Sequence, residues 1–313
     1  MAVPSGTAQT YQGVINREDL SDMVYMISPT ETPFLSACGR AKATGTLHEW
    51  TTDVLATAAN NAQIEGDDTY TAAGTINPGT RVTNRTQISR KVVRLSGTQQ
   101  AVNSAGNLYT MGKQMAKASS ELKRDIEVAL CQNTTAVVGA AGTARQTRGL
   151  EGWVATNNSL GASGVAPNPT TNTAPTDGTQ RSLTEALIKT VLNSVWTSGG
   201  NPDTIMVGGT QKQLFSSFTG GGTQMGNLDD KKLIAAIDVY VSDFGTLKVV
   251  PNRFQRARTA FVLESEKWKV AYLRPFTTED LAKTGDSDAK HIVVEYCLEA
   301  SNEASSGAVR DLS

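Results

Sequence analysis

The sequence predicts an α+β fold. Three features carry that reading: two runs of strand-favouring residues joined by a long polar segment, one amphipathic helix long enough to span a subunit, and a later stretch where short strands and helices alternate. At 313 residues the chain has room for two compact domains plus extensions, since single cores stop growing near ~250–300 residues.

Residues 1–45 contain Pro4, Pro29 and Pro33 and only short apolar groups such as Met23-Val24-Tyr25-Met26-Ile27, too little for a core. They read as an N-terminal arm that docks through Phe34-Leu35, an apolar pair placed after two chain-stiffening prolines. Strand-favouring residues follow at Thr46–Leu55 and Arg81–Ser96, where Val82, Thr86, Ile88, Val92 and Arg94 show partial alternation. The joining segment, Ala56–Thr80, is rich in Ala, Asn, Thr, Gly and Asp and contains Pro78-Gly79. A long hairpin over residues 46–98 with a polar tip is therefore predicted, and loops of this length tend to be functional.

Leu108, Met111, Met115, Ala118, Leu122, Ile126 and Ala129 fall at spacings of three and four, which predicts a helix over Asn107–Gln132. At ~1.5 Å per residue it would run ~39 Å. Its other face carries Lys113, Lys117, Lys123, Arg124 and Glu127 and should meet solvent or a neighbouring subunit. The Gly-, Ser- and Thr-rich stretch Asn157–Thr179 reads as a linker or surface excursion and marks a domain boundary. Ser182-Leu183-Thr184-Glu185 then reads as a capping box, opening a helix that Gly199-Gly200 ends. A strand at Thr204–Val207, a helix at Gln211–Phe218, a glycine-rich loop at Gly220–Gly226 and strands at Val239–Phe244 and Leu247–Val250 complete a compact unit. Further strands are predicted at Ala260–Leu263, Lys269–Leu273 and Ile292–Leu298.

Charge narrows the function. Twenty-nine basic and 30 acidic residues leave a formal charge of −1, so no overall positive field exists to read nucleic acid or collect on an anionic membrane. Near-neutrality also leaves repulsion between copies weak, which permits dense self-association. Cys38, Cys131 and Cys297 are scattered, with no CxxC pair, and read as reduced thiols in a cytosolic chain. The start of the sequence shows no signal-peptide pattern, and no run reaches the ~18 apolar residues of a membrane span.

Catalytic patterns are missing. With His48 and His291 as the only histidines, a hydrolase would have to be built on one of them, yet no GxSxG elbow places a serine nearby. Met111-Gly112-Lys113-Gln114 lacks the hydroxyl residue and earlier glycine of a phosphate loop, and Gly220-Gly221-Gly222 lacks dinucleotide-binding spacing. The carboxylate groups Asp67-Asp68, Asp229-Asp230 and Asp286/Asp288 read as acidic surface turns. No catalytic residue, cofactor or metal is expected.

The order of arm, long hairpin, long helix, polar excursion, α+β unit and closing strands resembles the major capsid proteins of tailed bacteriophages. Four phrases strengthen the likeness: Glu31-Thr32-Pro33-Phe34-Leu35, Leu150-Glu151-Gly152-Trp153, Trp268-Lys269-Val270-Ala271-Tyr272-Leu273-Arg274-Pro275-Phe276 and Leu281-Ala282-Lys283-Thr284-Gly285-Asp286 are similar to those of SU-ten-like head proteins. The resemblance implies the Hong Kong ninety-seven-type capsid fold: an arm over 1–45, an extended loop over 46–98, a peripheral domain over 99–180 with a spine helix at 107–132, an axial domain over 181–273, and strands over 274–313 that return to the peripheral domain. It implies a non-enzymatic subunit assembling with itself in hexamers and pentamers into an icosahedral or prolate shell around double-stranded DNA. A separate scaffolding protein, a portal and a cement protein are further implied partners, in the virion and, during assembly, in the host cytoplasm. The candidate contacts between subunits are Asp53, Asp67, Asp68, Arg81, Arg85, Lys117 and Arg124. An encapsulin-like bacterial nanocompartment shell is the alternative within the same fold.

Overall fold

A computed structural model describes residues 28–58, 60, 62, 64–66, 79–102, 109–218 and 239–313. Most of the arm, the hairpin tip including Asp67 and Asp68, Asn107-Leu108, Gly220–Gly226 and Asp229-Asp230 lie outside these residues.

Pro33 opens a short helix, α1 (Pro33–Ala37), in the first-turn position where its missing N–H costs nothing. The chain continues into β1 (Gly39–Lys42), then into an antiparallel pair, β2 (Leu47–Thr52) with β3 (Thr80–Arg85), in which Leu47 faces Arg85 and Thr52 faces Thr80. The single strand expected over Arg81–Ser96 is two. At Thr86 the backbone N–H turns to Thr46 O (3.0 Å) and the hydroxyl donates to Glu295 (2.8 Å), so β4 (Gln87–Ser96) leaves the hairpin for another sheet. A five-residue helix, α2 (Gly97–Ala101), follows.

The long helix is α3 (Met111–Cys131), ~31 Å at its 21 residues. Leu122, Ile126, Leu130 and Cys131 have no exposed surface. They pack on a four-stranded sheet of order β1-β10-β11-β4, built from β10 (Trp268–Asp280) and β11 (Ser287–Ala300) with the strands already named. Both central strands run longer than their apolar cores suggested, because β11 continues along β4 as far as Ser287 opposite Ser96. One expectation fails inside α3. Glu127, read as part of the outward charged face, is fully buried.

A second sheet has the order β5-β12-β9-β6-β8-β7. After a four-residue helix, α4 (Leu150–Trp153), it takes β5 (Asn157–Ser159), β6 (Thr204–Val207), β7 (Val239–Ser242), β8 (Gly245–Pro251), β9 (Ala260–Leu263) and β12 (Gly307–Val309). Alternate residues serve two cores. Ile205, Val207, Ala260, Val262 and Val309 face α5 (Glu185–Thr197) and α6 (Gly209–Ser216), whereas Met206, Phe261, Leu263 and Ala308 join the core under α3. Strands buried on both faces read as continuous apolar runs, as Ala260–Leu263 does.

The capping box expected at Ser182–Glu185 does not form: Thr184 is the cap residue without a side-chain cap bond, and Glu185 turns its carboxylate to Lys189 at 2.9 Å. Buried Leu183 fixes the helix entry instead. The helix stop is as expected, with Gly199 at φ +83° and Gly200 N–H bonded to Val195 O. The stretch 157–179 is more than a linker. It contributes β5 and folds back on itself through Val165–Thr176 and Asn168–Thr173 pairs, held by the Asp311 carboxylate, which accepts N–H bonds from Gly161 (2.9 Å) and Gly178 (2.6 Å).

Candidate assembly surface

The hairpin is braced at its base. Trp50 donates its indole N–H to Ala300 O at 2.8 Å and lies 5.3 Å, ring to ring, from Trp153. His48 Nε2 stands 2.9 Å from Glu299 Oε2. Buried Asn84 uses its full hydrogen-bonding capacity: its amide donates to Leu298 O (2.6 Å) and Thr147 Oγ1 (3.0 Å), and its oxygen accepts the N–H of Arg85 (2.8 Å) and Arg148 (2.9 Å). His48, one of the two histidines, is thereby a bracing residue of the hairpin.

Past Thr52 several described side chains turn to solvent. Val54, Leu55 and Ile64 are 70%, 98% and 80% exposed, a set of apolar side chains that the subunit itself leaves in water.

Three buried carboxylates hold the body behind the hairpin. Glu295 joins Thr86, Arg145 (2.5 Å) and Arg274 (3.0 Å), so the bend between β3 and β4, the turn near Val137–Gln146 and β10 share one anion. Glu151 meets Arg256 at 2.8 Å and accepts from Thr259 Oγ1 at 3.2 Å, and Arg310 lies 3.8 Å away. Burial pushes the Glu151 carboxyl upward, and the two guanidiniums pull it back. Burial likewise lowers Arg310 to about 10. Arg310 in turn caps α4 by donating to the carbonyls of Glu151 (2.7 Å) and Val154 (3.0 Å), which gives the Leu150-Glu151-Gly152-Trp153 phrase its physical reason. The third is Glu127, whose oxygens accept the N–H groups of Phe34 and Leu35, each at 2.8 Å, and the amide of Asn252 at 2.7 Å. Burial raises its carboxyl against the pull of these donors.

Of the charged residues singled out in the sequence, the five that are described lie apart from one another. Asp53 is exposed just past the hairpin strands and caps its own turn through Val54 N–H. Arg81 is exposed and 3.8 Å from Glu49 across the hairpin. Arg85 is half-buried at the hairpin base and has no carboxylate within ion-pair distance among the described residues. Lys117 is exposed with Glu121 one turn on, at 3.9 Å. Arg124 instead lies over the Phe254 ring at 5.6 Å, a contact inside the subunit. Trp50, Asn84 and Glu127 were not singled out for this role. Of the three only Trp50 carried a signal, as a large aromatic in an otherwise polar hairpin.

Among the described residues no cluster of His, Cys, Asp and Glu could hold a metal, and no helix is long and apolar enough to cross a membrane. The family profile described as SU10 major capsid protein matches residues 3–313. The chain belongs to the SU10 major capsid protein family. The major capsid protein of Escherichia phage Phieco32 is 27% identical over 334 residues, covering 92% of each chain. In fold, this capsid protein is similar to a chain of the Cyanophage A-1(L) capsid asymmetric unit (TM-score 0.70, 14% identity, 97% and 99% of the two chains). It is also similar to a chain of Gordonia phage Cozz (TM-score 0.61, 12% identity, 98% and 96%). The α+β architecture is thus the Hong Kong ninety-seven-type phage capsid fold, and the chain is a phage major capsid protein, a structural component of the virion shell.

Proposed function

We propose that this subunit assembles in hexamers and pentamers into an icosahedral or prolate shell around double-stranded DNA, held by protein–protein contact and without catalysis. Residues 1–45 act as the arm, 46–98 as the extended loop, α3 as the spine of a peripheral domain, and α5 with the six-stranded sheet as the axial domain. The observation that carries this is the hairpin, because its base is braced by Trp50, His48 and Asn84 while Val54, Leu55 and Ile64 find no cover in their own subunit. A neighbouring copy would supply that cover, with Asp53 and Arg81 beside it. Many weak contacts of this kind add up across a closed shell. Assembly in the host cytoplasm, a separate scaffolding protein, a portal and a cement protein complete the proposal.

Replacing residues 56–80 with an Asn-Gly turn tests it. Strands β2 and β3 should stay paired and the subunit should melt as before, since the bracing lies below the cut. Electron-microscope counts should show shells lost. Equal shell yield from both proteins would remove the loop from the assembly contact.

A further inference from the structure

Arg148 is a buried cation without a carboxylate. Only 3% of it is exposed, and among the described residues no carboxylate lies within ion-pair distance. Burial lowers its guanidinium to about 10. An unpaired cation in a core is costly, so the groups that hold this one are informative. Its Nη2 donates to Asn172 Oδ1 at 2.7 Å, and its Cζ lies 4.5 Å from the centre of the Trp153 ring. Nη1 finds no acceptor among the described residues.

Trp153 is equally unanchored by hydrogen bonds. It is 1% exposed and its Nε1 has no acceptor among the described residues, so packing alone orients the ring, against neighbours that include Arg148 and Trp50. Trp50 belongs to β2 of the hairpin, 5.3 Å ring to ring from Trp153. Arg148 reaches the other hairpin strand as well, because its backbone N–H donates to Asn84 Oδ1 on β3 at 2.9 Å.

The outer end of this row is Asn172, on an exposed turn closed by the Asn168–Thr173 pair. It stands at φ +55°, in the left-handed region that asparagine tolerates. Its amide pairs with Ala136 in both directions: Oδ1 accepts the Ala136 N–H at 3.0 Å and Nδ2 donates to Ala136 O at 2.7 Å. That pairing fixes Oδ1, and Oδ1 fixes the guanidinium. Contacts therefore run without a break from a surface turn, through Asn172, Arg148 and Trp153, to Trp50 in the hairpin.

We propose that Asn172 and Arg148 are positioning residues of the hairpin, acting through Trp153 on Trp50 to set how the β2–β3 pair leaves the body. Close-packed interiors transmit small displacements, and a row of rings and a planar guanidinium has little slack to absorb them. The consequence for assembly rests on the reading of the hairpin as a contact between copies; the positioning does not.

Circular dichroism of the full-length subunit tests this. Two indoles this close couple their transitions and give a paired band, assigned to Trp50 and Trp153 by its loss in Trp50→Phe. Asn172→Gly keeps the left-handed backbone at no steric cost and lies on an exposed turn, so the subunit should fold. Its paired band should lose most of its intensity well below the melting temperature. Asn172→Asp retains an acceptor for Arg148 and should keep the band. Arg148→Lys, charged but without the planar guanidinium, should lose it as Asn172→Gly does. An unchanged band in Asn172→Gly would overturn the proposal. So would equal loss in Asn172→Gly and Asn172→Asp, which would assign the effect to the Ala136 pairing. Shell counts read the other question: full shell yield from Asn172→Gly with the band lost would leave the positioning standing and speak against the hairpin as a contact between copies, whereas fewer shells would carry the positioning through to assembly.

Discussion

The Glu127 carboxylate accepts the backbone N–H of Phe34 at 2.8 Å across 93 residues of sequence. Its second oxygen takes Leu35 N–H at the same distance, so one side chain of α3 satisfies two of the donors that the start of α1 leaves open. The start of α1 is therefore held by an ionisable group that also binds Asn252, not by apolar contact alone.

Glu127→Ala should loosen α1 specifically. Two backbone donors and the Asn252 amide lose their acceptor, at ~1–3 kcal/mol for a buried unsatisfied group, and the melting temperature should fall by several degrees. Hydrogen exchange at Phe34 and Leu35 should speed more than at Leu122. Equal exchange at all three would show that Glu127 does not hold the start of α1.

The same group sets a pH dependence with a definite sign. The folded-state pKa of Glu127 is raised above its ordinary value, chiefly by burial. Its contribution to stability is therefore full below the ordinary carboxylate value and is lost as pH rises through the raised one. Glu127→Gln removes this term. The difference in melting temperature between wild type and Glu127→Gln, followed from neutral pH downward, should shift in favour of the wild type. A difference constant with pH would mean that Glu127 titrates alike in both states.

Glu151→Gln should be among the most damaging polar changes. It withdraws the charge that neutralises Arg256 and buried Arg310, and breaking a buried pair costs ~3–5 kcal/mol. Circular dichroism melts of the purified subunit would read the loss. A variant within a degree of wild type would assign the guanidiniums a sufficient partner elsewhere, with Asp177 the first candidate for Arg256.

On α3 the two faces should separate cleanly. Leu122 has no exposed surface, so Leu122→Asp puts an unpaired carboxylate in the core, comparable to the stability of the whole domain, and should leave no soluble folded subunit. Lys117→Asp sits in solvent and should fold, losing only a marginal ion pair with Glu121. Loss of shells with a folded Lys117→Asp subunit would make that face a contact between copies.

The three cysteines are free, and burial raises their pKa, to about 12 for Cys297. Shell stability should not change on adding dithiothreitol. Cys131 and Cys297 should react with a chromogenic disulfide reagent only when the protein unfolds. Rapid labelling of either in native shells would contradict their burial.

Local patterns in the sequence were enough to identify α3, the end of α5 at Gly199, and the strands β6 and β9. Each is a matter of periodicity or backbone freedom within a few residues, which neighbouring side chains determine by themselves. The docking of the arm through Phe34 was also legible, because an apolar pair after two prolines has few other uses. Partners distant in sequence were not legible. Glu127 stood among lysines and arginines on a helix face that looked solvated, and only the arrival of α1 from 93 residues away makes it an internal acceptor. The break at Thr86 has the same cause, since Glu295, on another strand, bends a stretch whose own composition favours one long strand. Short strands such as β1, β5 and β12 carry too few residues to declare a period, and exist because a longer neighbour offers them an edge. Thus the sequence determined which segments are regular and which face of α3 is apolar, through local sterics and water; tertiary structure alone decided which charges are buried, because a buried carboxylate is tolerable only where distant donors converge on it.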